Sequence, residues 1–145
     1  MVKEVTLDSS VLVSAFVEDD EFRSVARKVM ERIFQGEYRS TTSAIVFVEV
    51  CGSISRRAGA ENAFAVRDQL VKWEDMNFIT CSELTSKRRD EAAELAVRLG
   101  LRGMDAIVVQ TAREKNRVLI TFDEEMAGKA KSVVEVCTYR DLSSL

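Results

Sequence analysis

Residues 2–13 decide the fold, and they read Val-Lys-Glu-Val-Thr-Leu-Asp-Ser-Ser-Val-Leu-Val. A short run rich in β-branched residues ends at Asp8 and two serines, and an apolar segment then resumes without Gly or Pro. The pattern predicts a strand over residues 2–7 that leads directly into a helix starting near Val11. In an open α/β sheet, ligands bind at the carboxyl ends of the strands. Asp8 is therefore either the cap of that helix or the first member of a site.

The composition is typical of a globular protein with a real hydrophobic core. The chain has 145 residues, of which 46% are hydrophobic and 31% charged, so we expect one domain over residues 1–145 and no disorder. No apolar run approaches the length needed to cross a bilayer. Glu4 and Asp8 interrupt the pattern of a signal peptide. These features predict a cytoplasmic protein without membrane association.

Two residue counts limit the chemistry. The chain has no histidine, which excludes Ser-His-Asp catalysis and every metal site that depends on histidine. Cys51, Cys81 and Cys137 are far apart and odd in number, so they predict reduced thiols rather than a disulfide framework or a zinc knuckle. The net charge of −3 provides no bulk attraction to nucleic acid, although local basic patches can still bind it.

Strand and helix patterns alternate along the whole chain, and no hairpin signal separates them. This alternation predicts parallel βαβ units, with helices on both faces of the sheet in a three-layer α/β/α domain. After the first strand, the predicted strands cover residues 38–42, 77–81, 118–122 and 133–138. The predicted helices cover residues 20–35, 44–57, 60–74, 86–99, 104–115 and 123–131.

Three acids stand where either a structural or a functional role explains them. Asp8 and Asp123 each follow a predicted strand and precede a helix, so both can cap that helix. Asp105 lies in the first turn of an apolar helix, where an acid complements the helix dipole. For each of these three residues alone, the structural explanation is at least as good as the functional one.

Glu49 is harder to explain as a structural residue. It is the only charge between Ile45 and Ser55, on a helix that is apolar nearly all round and is therefore predicted to be buried. A buried carboxylate is normally paired, protonated or bound to a metal. The structural interpretation is a salt bridge to Arg56 or Arg57, and the functional one is metal binding.

The four acids constrain one another. Asp8 and Asp123 both follow parallel strands and therefore open on the same edge of the sheet. If Glu49 and Asp105 converge there, two carboxylates 4–5 Å apart repel by about 3–4 kcal/mol at an effective dielectric near 20. Without histidine or paired cysteines, the ions that fit are Mg²⁺ or Mn²⁺. Such a site suits the hydrolysis of phosphodiester bonds.

Four stretches carry these acids in order: Leu7–Val13, Phe47–Val50, Leu101–Ala112 and Val118–Asp123. In their order and spacing they resemble the PIN-domain family, and within it the VapC-type toxin ribonucleases. Each motif alone is weak, whereas four in register are specific. The sequence departs from the family pattern where a proline often precedes the Glu49 position, because here that stretch is Ser40–Ser43.

The resemblance implies a parallel five-stranded sheet with strand order 3-2-1-4-5 and a metal-dependent endoribonuclease that acts on single-stranded or structured RNA. It implies that the acidic site, holding Mg²⁺ or Mn²⁺, consists of Asp8, Glu49, Asp105 and Asp123. Hydroxyls that support the metal, a water or the carboxylates are implied at Ser9 or Ser10 and at Thr121. A further acid of the family pattern matches Glu124 or Glu125. Proteins of this kind commonly form homodimers and are inhibited by a small antitoxin protein.

RNA would also need basic contacts. The residues proposed for the phosphates are Arg56, Arg57 and Arg102, whereas the run Lys87–Arg89 is better explained as a solvated helix face. Two other functions compete with the nuclease. One is a non-catalytic PIN-like module that binds RNA or protein. The other is a phosphoryl-transfer domain with a nucleophilic Asp8, which lacks the expected neighbouring acid and later lysine.

Overall fold

The computed structural model describes residues 1–143, and residues 144 and 145 of the predicted domain lie outside that range. Its centre is a parallel five-stranded sheet of order β3-β2-β1-β4-β5, which confirms the predicted topology. The strands are β1 (Lys3–Leu7), β2 (Tyr38–Ser43), β3 (Ile79–Ser82), β4 (Val118–Ile120) and β5 (Val136–Cys137).

Helices cover the sheet and complete the three-layer α/β/α architecture. None of those within residues 1–143 has both the length and the apolar character needed to cross a membrane. The helices are α1 (Ser9–Phe16), α2 (Arg23–Phe34), α3 (Ala44–Ala58), α4 (Ala60–Asp75), α5 (Ser86–Leu99), α6 (Gly103–Glu114), α7 (Glu124–Ala130) and α8 (Tyr139–Leu142). The short helix α8 was not predicted, and a capping box between Thr138 and Asp141 starts it.

Strand β1 is the central strand, and its register with β4 positions the site. Val5, Thr6 and Leu7 are fully buried, and Leu7 lies opposite Ile120. The Asp8 N–H donates to the Ile120 carbonyl at 3.0 Å, which extends the ladder by one bond. The two chain segments that follow β1 and β4 therefore start side by side at the carboxyl edge of the sheet.

Strand β4 ends earlier than predicted because side chains take over the backbone N–H groups. Strand β4 stops at Ile120 instead of Phe122, since the Phe122 N–H donates to the Ser10 hydroxyl and the Asp123 N–H donates to the Thr121 hydroxyl. A local side-chain acceptor of this kind competes with the sheet ladder. Strand β5 is likewise reduced to two residues, and the predicted strand over residues 133–138 is too long.

Two further predictions on helices need correction. Helix α2 begins at Arg23, not at Asp20, because the Asp20 carboxylate accepts the Phe22 N–H at 2.9 Å and holds a turn there. Helix α3 is not buried all round: Val46 and Val50 are buried, whereas Val48 keeps 68% of its surface exposed. One face of α3 therefore opens to solvent, and Glu49 lies at the border of that face.

Candidate active site

Asp8 occupies the N-cap position of α1, but its side chain makes no capping hydrogen bond. Its Oδ2 instead accepts hydrogen bonds from the Ser10 hydroxyl at 2.8 Å and from the Thr121 hydroxyl at 2.9 Å. Only 5% of the residue is exposed. The two hydroxyls fix the carboxylate against the β4–α7 turn, so the predicted role as a side-chain cap is wrong.

Ser10 and Thr121 act as bridges as well as donors. The oxygen that donates to Asp8 also accepts a backbone N–H: that of Phe122 at 3.1 Å for Ser10, and that of Asp123 at 3.1 Å for Thr121. Of the two serines that the sequence left open, Ser10 is the one that contacts Asp8. Both serines line the neighbouring cleft.

Asp123 caps α7, as its position predicts. Its Oδ1 accepts the Met126 N–H at 3.1 Å, and Glu124 and Glu125 follow it in the first helical turn. The residue also lines the cleft. Since one oxygen suffices for the cap, the structural and functional interpretations of Asp123 are compatible.

Glu49 projects from α3 without a cationic partner. The predicted salt bridge to Arg56 or Arg57 does not form, because Arg57 pairs with Asp20 at 3.2 Å and no ion pair within residues 1–143 includes Glu49. Burial, together with the nearby charges of Asp8 and then Asp105, raises the pKa of Glu49 to about 7.

Asp105 lies in the first turn of α6 and is electrostatically coupled to the other acids. Burial raises its pKa, and the charges of Asp8 and Asp123 raise it further, whereas Arg102 acts in the opposite direction. Asp8, Glu49, Asp105 and Asp123 therefore lie close enough to influence one another. We call these four residues the acid edge.

A cleft of about 730 Å³ opens beside the acid edge. Glu49 and Asp123 line it together with Ser9, Ser10 and other residues, whereas Asp8 and Asp105 do not line it. The structure thus brings the four carboxylates into one electrostatic group, but it gives only two of them a place on the cleft wall.

Carboxylates that repel one another are the ligands that a hard cation such as Mg²⁺ or Mn²⁺ prefers, and the acid edge consists only of carboxylates. Within residues 1–143, no three Asp, Glu, Cys or His side chains are arranged so that they could hold a metal ion. Mg²⁺ is usually bound by one or two carboxylates and keeps several waters, and the acid edge fits this mode of binding.

The three arginines predicted to bind substrate have different positions. Arg56 and Arg57 line the cleft, and Arg57 is additionally fixed by Asp20. Arg102 is exposed near Asp105 but does not line the cleft. The run Lys87–Arg89 behaves as a helix face, since Arg88 pairs with Glu114 at 3.0 Å and Arg89 pairs with Asp90 at 3.0 Å.

Each of the two acids that follow Asp123 lies beside a basic residue. Glu125 pairs with Lys129 at 3.0 Å, which lowers its pKa, and its charge reaches Asp105, whereas Glu124 lies 3.8 Å from Arg140. The sequence interpretation missed Asp20, which lines the cleft and holds Arg57. The acidic run of residues 18–21 was the available signal, but it does not reveal a partner 37 residues away.

Solved structures share this fold. VapC20 of Mycobacterium tuberculosis, described as a sarcin-ricin loop cleaving toxin, matches with a TM-score of 0.72 and 21% identity over 91% of this chain and 98% of its own. DNA-bound VapBC of Salmonella typhimurium contains a chain that matches with a TM-score of 0.69 and 12% identity, over 96% and 99% of the two chains. A toxin-antitoxin complex of Klebsiella pneumoniae matches with a TM-score of 0.67 and 18% identity, over 93% and 97%.

At the sequence level, no curated protein matches this chain. The family model of the PIN domain, however, matches residues 5–132, a segment that includes all four residues of the acid edge. That segment is most of the chain, so the protein belongs to the PIN-domain family.

Proposed function

We propose that this protein is a metal-dependent endoribonuclease that cleaves RNA at the acid edge. The observation that carries the proposal is the pair Glu49 and Asp105, two half-buried carboxylates whose pKa values are raised by burial and by other acids. A perturbed acid without a cationic partner is costly for stability, and such groups concentrate at functional sites.

Each residue of the site has a proposed role. Asp8, Glu49, Asp105 and Asp123 would hold Mg²⁺ or Mn²⁺ together, with one or two of these carboxylates as direct ligands, and the bound ion would supply activation of a water and stabilisation of the leaving oxygen. Ser10 and Thr121 position Asp8 by occupying its Oδ2, which leaves Oδ1 for binding. Arg56 and Arg57 contact RNA phosphates from the cleft wall, and Arg102 contacts them near Asp105.

The biological role that we propose is that of the toxin in a type II toxin-antitoxin pair acting in the cytoplasm. The fold is shared with VapC20 and with chains of VapBC and other toxin-antitoxin complexes. By that likeness we propose a small antitoxin protein as partner and a homodimer as the assembly. Growth arrest when the chain is expressed alone, relieved by an Asp8→Asn substitution, is the expected result.

A non-catalytic PIN-like module that binds RNA or protein remains the second candidate. It is favoured by one observation, the lack within residues 1–143 of three ligand side chains arranged for a metal. An RNA cleavage assay with and without the divalent cation separates the two functions, because only the nuclease needs the cation.

The test uses purified full-length chain, free of any partner, with labelled RNA in Mg²⁺ or Mn²⁺ and in EDTA. Cleavage should occur only with the metal. Asp8→Asn and Asp105→Asn should each reduce it by more than about 100-fold, a larger loss than is typical for residues that only support a ligand. Asp90→Asn is the control, since Asp90 is exposed on α5 and forms its ion pair with the neighbouring Arg89. Equal cleavage in EDTA, or unchanged cleavage in both acid variants, would exclude the nuclease.

A further inference from the structure

A second cleft, of about 640 Å³, lies on the other side of Arg57. It is formed by the end of α1, the segment that follows α1, the last turn of α3 and one face of α4. Arg57 is the one residue that lines both this cleft and the cleft beside the acid edge. A chain bound at the acid edge that continues past Arg57 therefore enters the second cleft.

Arg57 is held in place at this boundary. Its Nη2 donates to Asp20 Oδ2 at 3.2 Å, and Asp20 Oδ1 accepts the Phe22 N–H at 2.9 Å. The Asp20 side chain is only 11% exposed, whereas that of Arg57 is 43% exposed. A guanidinium has five N–H donors, so this pairing leaves others for a second acceptor such as a phosphate oxygen.

The second cleft has the wrong charge for a phosphate. Its wall includes Glu18 and Asp19, and Arg57 is the only cationic residue of its described lining. Ile54 and Val66 contribute a buried apolar floor. An apolar floor bordered by hydrogen-bond acceptors suits a nucleobase, which has apolar faces and N–H donors along its edge.

The wall groups are available for such a base. Within residues 1–143, Glu18, Asp19 and Gln69 make no side-chain hydrogen bond or ion pair, and the Asn62 amide N–H donates to the Ala58 carbonyl, which leaves its oxygen as an acceptor. A carboxylate accepts two parallel donors. Guanine offers two adjacent N–H groups on its Watson–Crick edge, whereas uracil offers one.

We propose that the second cleft is a specificity subsite that takes the base of a nucleotide flanking the scissile phosphate and prefers guanine to uracil. Arg57 then contacts the phosphate between this base and the acid edge. The proposal rests on the ribonuclease function proposed above, and it adds residues that are far from the four acids in sequence.

Binding and cleavage are measured separately so that the two proposals can fail independently. The binding arm uses fluorescence anisotropy in EDTA with labelled tetranucleotides that carry guanine or uracil at one position in turn. The cleavage arm sequences the ends that the full-length chain produces from a randomised RNA pool with Mn²⁺. The variants are Glu18→Gln with Asp19→Asn, and Gln69→Met. The controls are Gln35→Met and Asp90→Asn, because neither Gln35 nor Asp90 lines this cleft.

The wild type should favour guanine at one fixed position in both arms. The double variant should reduce that preference by about 10-fold or more, as expected for a base contact, whereas Gln35→Met and Asp90→Asn should keep the preference within about 2-fold of the wild type. The proposal is overturned if the wild type shows no preference for guanine, or if the double variant keeps that preference. Absence of cleavage with a retained binding preference would instead reject the proposed nuclease.

Discussion

The acid edge and a second carboxylate group on the same protein have opposite surroundings. Between α5 and α6, Glu114 accepts hydrogen bonds from Arg88 Nε at 3.0 Å and from Gln110 Nε2 at 3.2 Å, and its pKa is lowered, chiefly by Arg88. Gln110 also donates to Glu91 at 3.0 Å. We call these four residues the α5–α6 network. Glu49, by contrast, has acids for neighbours and a pKa of about 7.

The difference separates charge used for stability from charge reserved for a ligand. In the α5–α6 network the pKa of Glu114 is lowered chiefly by the hydrogen bond from Arg88, so the folded protein itself compensates this charge. At the acid edge, as far as residues 1–143 are concerned, only Asp8 accepts side-chain hydrogen bonds, and Glu49 and Asp105 have neighbouring acids instead. A cation would complete the acid edge in the way that Arg88 completes the network.

Among the tests of this contrast, the largest expected effect comes from the hydroxyl that positions Asp8. Thr121→Val removes the donor to Asp8 Oδ2 and the acceptor for the Asp123 N–H, so it disturbs two acids at once. Metal-dependent RNA cleavage should fall by about 10–100-fold, as is typical when a partner of a ligand is lost. Initial rates at saturating Mn²⁺, with circular dichroism to verify folding, provide the measurement.

Thr111→Val is the matched control. Thr111 is equally buried, and its hydroxyl donates only to the Ile107 carbonyl within α6. It should retain cleavage within about 2-fold, since that bond satisfies no group of the site. If both threonine variants lose activity equally, the loss reflects general destabilisation rather than the position of Asp8.

An effect of intermediate size is expected for the pH dependence of metal binding. Glu49 must lose its proton to bind a cation, and its pKa is about 7, so Mn²⁺ affinity should rise about 10-fold between pH 6 and pH 8. Isothermal titration calorimetry measures it. Glu49→Gln should flatten the curve over this range, whereas a curve that stays equally steep would remove Glu49 from the metal site.

The smallest effect is a pair of stability changes with opposite signs in metal-free protein. The folded-state pKa of Glu49 is raised, so its contribution to stability is complete below about pH 4.5 and is lost as the pH rises to about 7. Glu49→Gln should therefore raise Tm at pH 8 by about 2–4 °C. At pH 4 the substitution should leave Tm nearly unchanged.

Glu114→Gln should do the reverse. The folded-state pKa of Glu114 is lowered, so its contribution is present above the unfolded value and is lost as the pH falls through the folded value. Tm should fall at pH 8 by about 2–4 °C, and the loss should shrink in acid. Differential scanning calorimetry in EDTA tests both variants, and shifts of the same sign would contradict the contrast between the two groups.

The sequence predicted much of the fold because its signals are local. Periodicity located the strands and most helices, and the absence of hairpin signals indicated parallel pairing. The strand order and the set of site acids came from the resemblance of four motifs to the PIN-domain family. Asp8 shows the limit: its cap position was predictable, whereas its bond to Thr121 joins residues 113 positions apart.

By itself, then, the sequence determined the class of fold, the lack of histidine chemistry and the positions of the acids at strand and helix ends. Only the tertiary structure decided their partners. It paired Arg57 with Asp20, placed no basic side chain beside Glu49 among residues 1–143, and exposed the neighbouring Val48. The physical reason is that burial and electrostatic shifts depend on which distant groups share a dehydrated space, and spacing along the chain does not specify that.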